Sequence, residues 1–275
     1  ALSSAASDVY KRQDNDAGFF SKMTENYRAL IIDKIKEENL LWIAYTDLTG
    51  YPYMIDGDMI VIYDFAAAKQ IEADLNKAGY RVTFGNVDKD AFKTEIAHMY
   101  RNGYKKIRFM DGKMEPFVVE REELYPYEEF FKDDYITNPG LQAAMLNYFQ
   151  EFRKQAPLEN RGDILKRREQ IMIDMMLNAE YMVPCVKEET EEEVEISHHF
   201  IDITDRVTEK EEGEHVIAIP VFTDGFEMDK CYEGHHENML YKFDELVSLM
   251  DELGASGIII NCLGISYFML SLIHI

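Results

Sequence analysis

The chain has 275 residues, 47% of them hydrophobic and 12% aromatic, enough to bury one large core or two smaller ones. Its 52 acidic and 29 basic residues leave a formal charge of −23, which repels phosphate backbones and anionic lipid and so argues against nucleic acid and membrane surfaces as partners. No apolar run approaches the roughly 20 residues that span a bilayer, and three widely spaced cysteines (Cys185, Cys231 and Cys262) suit a reducing, cytoplasmic setting better than a disulfide framework.

In chain order, Phe19–Glu37 shows Phe20, Tyr27, Leu30, Ile31 and Ile35 near helical spacing and predicts an amphipathic helix. Leu40–Tyr45 is a strand-like apolar run closed by the turn-prone Thr46–Gly50, and Met59–Tyr63 predicts a strand covered on both faces. A helix over Ala66–Ala78 stops at Gly79, followed by a strand at Tyr80–Phe84, a helix at Asp88–Asn102 ended by Gly103, and a strand at Lys105–Phe109. Connections of this length predict parallel, right-handed crossovers. Glu115–Asp134, with Pro116, Pro126 and many acids, reads as an irregular connector or a strand plus loop.

Asn138-Pro139 opens a helix whose stripe is Leu141, Ala144, Met145, Tyr148, Phe149 and Phe152. Arg161–Tyr181 predicts another, with Met172, Met175 and Met176 at core spacing, and Pro184 beyond it. The Glu188–Glu195 charge run reads as a solvated loop or hairpin leading into an alternating strand at Val194–Ile203. Val216–Asp224 (VIAIPVFTD) is a strand ending in Phe-Thr-Asp, followed by a polar turn, an apolar run at Met239–Phe243, a helix at Asp244–Leu253 and a buried strand at Gly257–Asn261.

The order of elements repeats. Each half runs from a long helix through a short apolar segment to a strand–helix–strand–helix–strand unit, which predicts an α/β (mixed α+β) fold of two tandem units, each a mostly parallel small sheet flanked by helices. The first unit spans 14–134 and the second 135–269.

Both termini have a different character. One encoding of Asp8–Gln13 (DVYKRQ) is GATGTGTATAAGAGACAG, whose reverse complement translates as LSLIHI, the sequence of Leu270–Ile275. Residues 1–13 and 270–275 therefore read as tails derived from a transposase-type sequencing adapter on a fragment of an environmental assembly, and are set aside from fold reasoning.

Asn138-Pro139-Gly140-Leu141 with Ala144-Met145, then Ala179–Pro184 (AEYMVP), Ile219–Asp224 (IPVFTD), Phe243–Leu246 and Gly257–Asn261 occur in the order and spacing that resemble the SseB N-terminal-domain family of bacterial cytoplasmic proteins. The resemblance covers about 138–269, with a diverged SseB-like unit in the first half. Where the family has Asn-Pro after the last strand, this chain has Asn261-Cys262. The resemblance implies a compact mixed α/β domain, no cofactor and no defined reaction.

Phe222, Thr223, Asp224 and Asn261 stand at the ends of the hallmark strands and are the candidate ligand- or partner-binding residues. Carboxylates at strand ends of open α/β sheets face the ligand crevice, whereas Asp at a helix start is an ordinary N-cap. Asp88 and Asp244 are read as caps. Cys231, His235, His236 and Glu237 form C-x3-H-H-E, the densest set of potential zinc ligands. Without a second cluster to complete a cage they read as polar surface residues, and His198-His199, neighbours on a strand, point to opposite faces. Cys185, after Pro184 in an apolar context, reads as buried. No G-x-S-x-G, H-E-x-x-H, C-x-x-C or phosphate loop occurs. The expectation is a non-catalytic cytoplasmic interaction or regulatory module with a protein partner that presents a basic surface. The alternative is a small-ligand enzyme or hydrolase using strand-end carboxylates near Thr223 and Asp224.

Overall fold

The computed structural model describes residues 22–111, 113, 115–132, 135–189, 194–206, 215–232 and 237–270. Residues 1–13, most of the Leu270–Ile275 tail, His235, His236 and the middle of the Glu188–Glu195 run lie outside the described residues. The fold is mixed α/β, with helices packed around three sheets of seven, four and three strands.

Helix α1 covers residues 22–36. The first half continues as β1 (Leu41–Thr46), β2 (Tyr51–Pro52), β3 (Met54–Ile55), β4 (Asp58–Ile62), α2 (Phe65–Lys77), β5 (Val82–Val87), α3 (Lys89–Asn102), β6 (Lys106–Met110), β7 (Phe117–Glu120) and the short α4 (Arg121–Leu124). Then come α5 (Pro139–Phe152) and α6 (Gly162–Leu177). The second half is β8 (Glu180–Glu189), β9 (Val194–His198), β10 (Ile201–Asp202), β11 (Ile217–Val221), α7 (Gly225–Asp229), β12 (Asn238–Lys242), α8 (Phe243–Leu253), β13 (Gly257–Ile260) and β14 (Tyr267–Leu270).

The expectation of mostly parallel sheets is corrected. Each half holds one parallel pair, β4 with β6 and β11 with β13; the other pairings are antiparallel. Two features of the chain cause this. The Asp56-Gly57 turn, with φ of 54° and 89°, closes a tight β3–β4 hairpin. The crossover through α2 carries β5 past β4 to the far edge of β1, so β1 lies between the two and runs antiparallel to both.

The two halves pair alike. β1 pairs with β2, β4 and β5 as β8 pairs with β9, β11 and β12, the β8–β11 link being the single bridge Met182–Phe222. β3 lies on β4 as β10 lies on β11, and β7 on β6 as β14 on β13. The register agrees as well. Asp58 faces Lys106 and Ala218 faces Gly257, and six residues on from each, Asp64 and Asp224 cap the next helix. Leu41 faces Val87 and Tyr181 faces Tyr241, and the next residues, Asp88 and Lys242, are the N-caps of α3 and α8. Both helices end on a left-handed glycine, Gly103 and Gly254, that donates to Met99 and Met250 respectively.

Alternation along the central strands divides the core. Met59 and Val61 of β4, with Ile219 and Val221 of β11 and Ile258 and Ile260 of β13, face one continuous core filled from α3, α5, α6 and α8. On the opposite face Ile60 and Ile62 pack with Ala44, Ala68, Val82 and Phe84 under α2, while Ala218 and Ile259 meet Ile203 and Val216. Met59–Ile62 of β4 are all buried, as their apolarity predicts, while Asp58 is buried at its start and Tyr63, the last residue of the predicted run, is exposed. At about 1.5–3 kcal/mol for each fully buried large aliphatic side chain, the shared core is the main adhesive between the halves.

Several boundaries differ from the sequence expectation. α6 ends at Leu177 rather than Tyr181, because Glu180–Val183 belongs to β8, and the Tyr181 hydroxyl donates back to the Met176 carbonyl. Pro184 therefore lies inside a strand, opposite Asn238. The two ends of the charge run belong to β8 and β9, with Glu188 opposite Glu195, in keeping with the hairpin alternative. The Val194–Ile203 strand is broken between β9 and β10. Asp88 caps α3 through the Ala91 amide, but Asp244 lies in the first turn of α8, behind the N-cap Lys242. Met172 and Met176 are buried, whereas Met175 is exposed. Among the described residues no helix is long and apolar enough to cross a membrane.

Candidate functional site

The four strand-end residues singled out in the sequence meet at the carboxyl ends of the parallel pair β11 and β13. β11 ends at Val221, Phe222 bridges to Met182, and the chain leaves the sheet through Thr223 to Asp224, the N-cap of α7. Beside it, Asn261 turns the chain out of β13 with φ of 50°, in the left-handed region that Asn tolerates better than most residues. Its side chain bridges the two strand ends. Oδ1 accepts from the Thr223 amide at 3.1 Å, and Nδ2 donates to Thr223 Oγ1 at 3.0 Å and to Gln142 Oε1 of α5 at 3.1 Å. Asn138, just before α5, donates from its side chain to the Thr223 carbonyl at 2.8 Å.

Asp224 accepts from the Glu227 amide at 3.0 Å, which caps α7, and from Arg101 Nη1 of α3 at 3.2 Å. The Arg101 guanidinium lies 3.8 Å above the centre of the Phe226 ring. One turn on, the Glu227 carboxylate accepts from Tyr51 of β2 at 2.8 Å and from Lys230 at 2.7 Å. Asp224 and Glu227 are thus balanced by Arg101 and Lys230, with one cation and one phenol reaching across from the first half.

Phe222, Thr223, Asp224 and Asn261 are each 0% exposed. Burial raises the Asp224 carboxyl above its ordinary range; Arg101 opposes this, and the neighbouring Glu227 adds to it. Burial, and then the Glu227 carboxylate, likewise push the Tyr51 hydroxyl up. As a unit, the arrangement holds two strand ends, the start of α7 and the start of α5 in register, and fastens them to α3 and β2.

A cleft of about 330 Å³ opens next to this cluster, lined among others by Tyr51, Glu95, His98, Arg101, Asn102 and Lys230. Asn102 Oδ1, in the lining of the cleft, is a buried acceptor with no hydrogen-bond partner; so is Glu227 Oε2, which is not in the lining but lies behind Gly264, where a Cβ would collide with it. Arg101, Glu227, Gln142 and Tyr51 carry no local sequence signal that singles them out. Only the matching element order of the halves suggests that the end of α3 and the start of α7 could meet.

Cys231 lies just past α7, its Sγ 2.8 Å from Cys262 Sγ after β13. Its other proposed companions, His235 and His236, lie outside the described residues. Among the described residues no group of three or more His, Cys, Asp and Glu side chains is arranged to hold a metal ion. Cys185 is buried, and His198 sits 3.3 Å from the Tyr241 hydroxyl.

Comparison with protein-family models, with curated proteins and with solved structures gave no match.

Proposed function

We propose that this chain is a non-catalytic interaction module built from two diverged copies of one SseB-like unit. The observation that carries this reading is the closure of the strand-end cluster. In an open α/β sheet the crevice beyond the strand ends is where ligands bind. Here that position is filled from within by Arg101, Gln142 and Asn138, and the four candidate residues have no exposed surface. The matching register of the halves supports duplication. Cap positions at Asp64 and Asp224 and at Gly103 and Gly254 fall at equivalent places without identity in the strands between them.

A binding surface is supported elsewhere. On α1, Met23, Tyr27, Leu30 and Ile31 are exposed at helical spacing and form one apolar stripe, while Ile32 and Ile35 turn into the core. The chain as a whole carries a net charge of −23, and a partner that pairs an apolar patch with Lys and Arg would be drawn to it by long-range attraction that salt weakens. Cytoplasmic residence goes with the family resemblance and the cysteine usage.

The test is quantitative co-purification of the wild type and of the Tyr27→Asp and Leu30→Asp variants. A basic-surfaced partner retained by the wild type, lost from both folded variants and released as salt rises is the expected result. Retention that is indifferent to both changes would remove the α1 stripe from the account.

A small-ligand reading of the cleft between the halves is favoured by one specific observation, the unpartnered buried acceptor Asn102 Oδ1 in its lining. Turnover of a substrate that is lost in a folded Asp224→Asn protein would replace the module with a carboxylate enzyme.

A further inference from the structure

We infer that Cys231 and Cys262 are a thiol pair that closes reversibly to an intramolecular disulfide, clamping one wall of the cleft between the halves. Their sulfurs are 2.8 Å apart although 31 positions separate them, so less than about an ångström of approach separates them from a bond of about 2.05 Å. Both are half-buried, which leaves them open to small reagents, whereas the third cysteine, Cys185, is buried and lies elsewhere, in β8.

The surroundings give the bond a consequence. Cys231 follows Lys230 and Cys262 precedes Leu263 and Gly264, and Lys230, Leu263 and Gly264 all line the cleft. Each segment is also held from inside, Cys231 by its amide on the Met228 carbonyl and the turn after Asn261 by the Gly264 amide on the Asn261 carbonyl. The sulfurs are therefore presented by two short turns whose other ends are anchored in the buried Asp224–Asn261 cluster. A covalent link would close a loop through β12, α8 and β13 and fix α7 against the β13–β14 turn. Burial and the neighbouring Cys231 sulfur push the Cys262 thiol up, to about 12, which disfavours its thiolate as the first nucleophile.

The step balances with a small-molecule disulfide such as oxidised glutathione. The Cys231 thiolate attacks one sulfur of the reagent, forming a mixed disulfide and releasing one glutathione thiolate, which takes up a proton. Cys262 then loses its proton to solvent and attacks the Cys231 sulfur, expelling the second glutathione. Two electrons pass from the protein sulfurs to the reagent, and an excess of small thiol reverses both steps.

The test is equilibration of the folded chain in glutathione redox buffers, followed by acid quench, alkylation and peptide mass analysis. Oxidation should lower the intact mass by two hydrogens, yield one cross-linked peptide pair containing Cys231 and Cys262, leave Cys185 alkylatable after unfolding, and raise Tm by about 5–10 °C. Reduction should reverse all of these. Cys231→Ser and Cys262→Ser should each abolish the cross-link and the Tm shift, and circular dichroism of the reduced variants checks that they fold. Full alkylation of all three cysteines after equilibration in the most oxidising buffer would overturn the inference. So would a cross-link that runs between chains or through Cys185.

Discussion

Arg101 at the end of α3 and Asp224 at the start of α7 are 123 positions apart and form an ion pair of 3.2 Å, with 3% and 0% of their side chains exposed. One belongs to each half of the chain. Burying two charges is costly, and their attraction offsets that cost only with good geometry and further hydrogen bonds. The Glu227 amide on Asp224 and the Phe226 ring under Arg101 help, but burial still raises the Asp224 carboxyl, so the offset is partial.

Removing the Asn261 side chain should cost more than its size suggests. Asn261→Ala deletes bonds to the Thr223 amide, the Thr223 hydroxyl and Gln142 and places Ala at a positive φ. The expected loss is about 2–4 kcal/mol by chemical denaturation. Asn261→Gly, which relieves only the backbone part, should recover less than half of it.

The two equivalent helix-ending glycines should respond unequally to alanine. Gly254 has a φ of 65° with open space around it, so Gly254→Ala carries only the left-handed strain, about 1 kcal/mol. Gly103, at φ of 76°, meets the Pro139 carbonyl and Ala143 of α5, so Gly103→Ala should cost at least about 3 kcal/mol. Equal losses in urea melts would mean that α5 yields to the added methyl.

His198 gives a pH dependence with a definite sign. Burial lowers its pKa below the ordinary 6.5, so the folded protein holds it neutral while the unfolded chain protonates it. Stability from this group is complete above the unfolded value and falls as pH drops below about 6.5 toward the lower folded value. Thermal melts between pH 7.5 and 5.5 should show this loss, reduced in His198→Gln, and an NMR titration should place the His198 midpoint below the ordinary value of about 6.5.

How much of this was legible in the sequence depends on the kind of signal. β4 and β13 announced themselves by unbroken apolarity, and α3 by its stripe, its cap and Gly103, because local burial period and turn chemistry act within a few residues. The order of pairing did not. Nothing in Leu41–Thr46 says that β1 will lie between β4 and β5, since that choice is made by the crossover through α2 and by the tight Asp56-Gly57 hairpin. The candidate residues Thr223, Asp224 and Asn261 were found by motif, but their partners were not. Arg101, Gln142 and Tyr51 are ordinary residues of their own elements, and only the packing of one half on the other brings them to the strand ends.

The most direct test of the central claim, that the strand-end cluster joins the two halves instead of forming an open reaction centre, is a double-mutant cycle on Arg101 and Asp224 read by urea denaturation. Arg101→Met and Asp224→Asn each leave a buried charge unpaired and should each cost about 3–5 kcal/mol. The double variant leaves none, and should be more stable than the sum of the single losses by at least about 2 kcal/mol. Additive losses, or two single variants with wild-type stability, would contradict the account and mark the pair as one that the fold does not depend on.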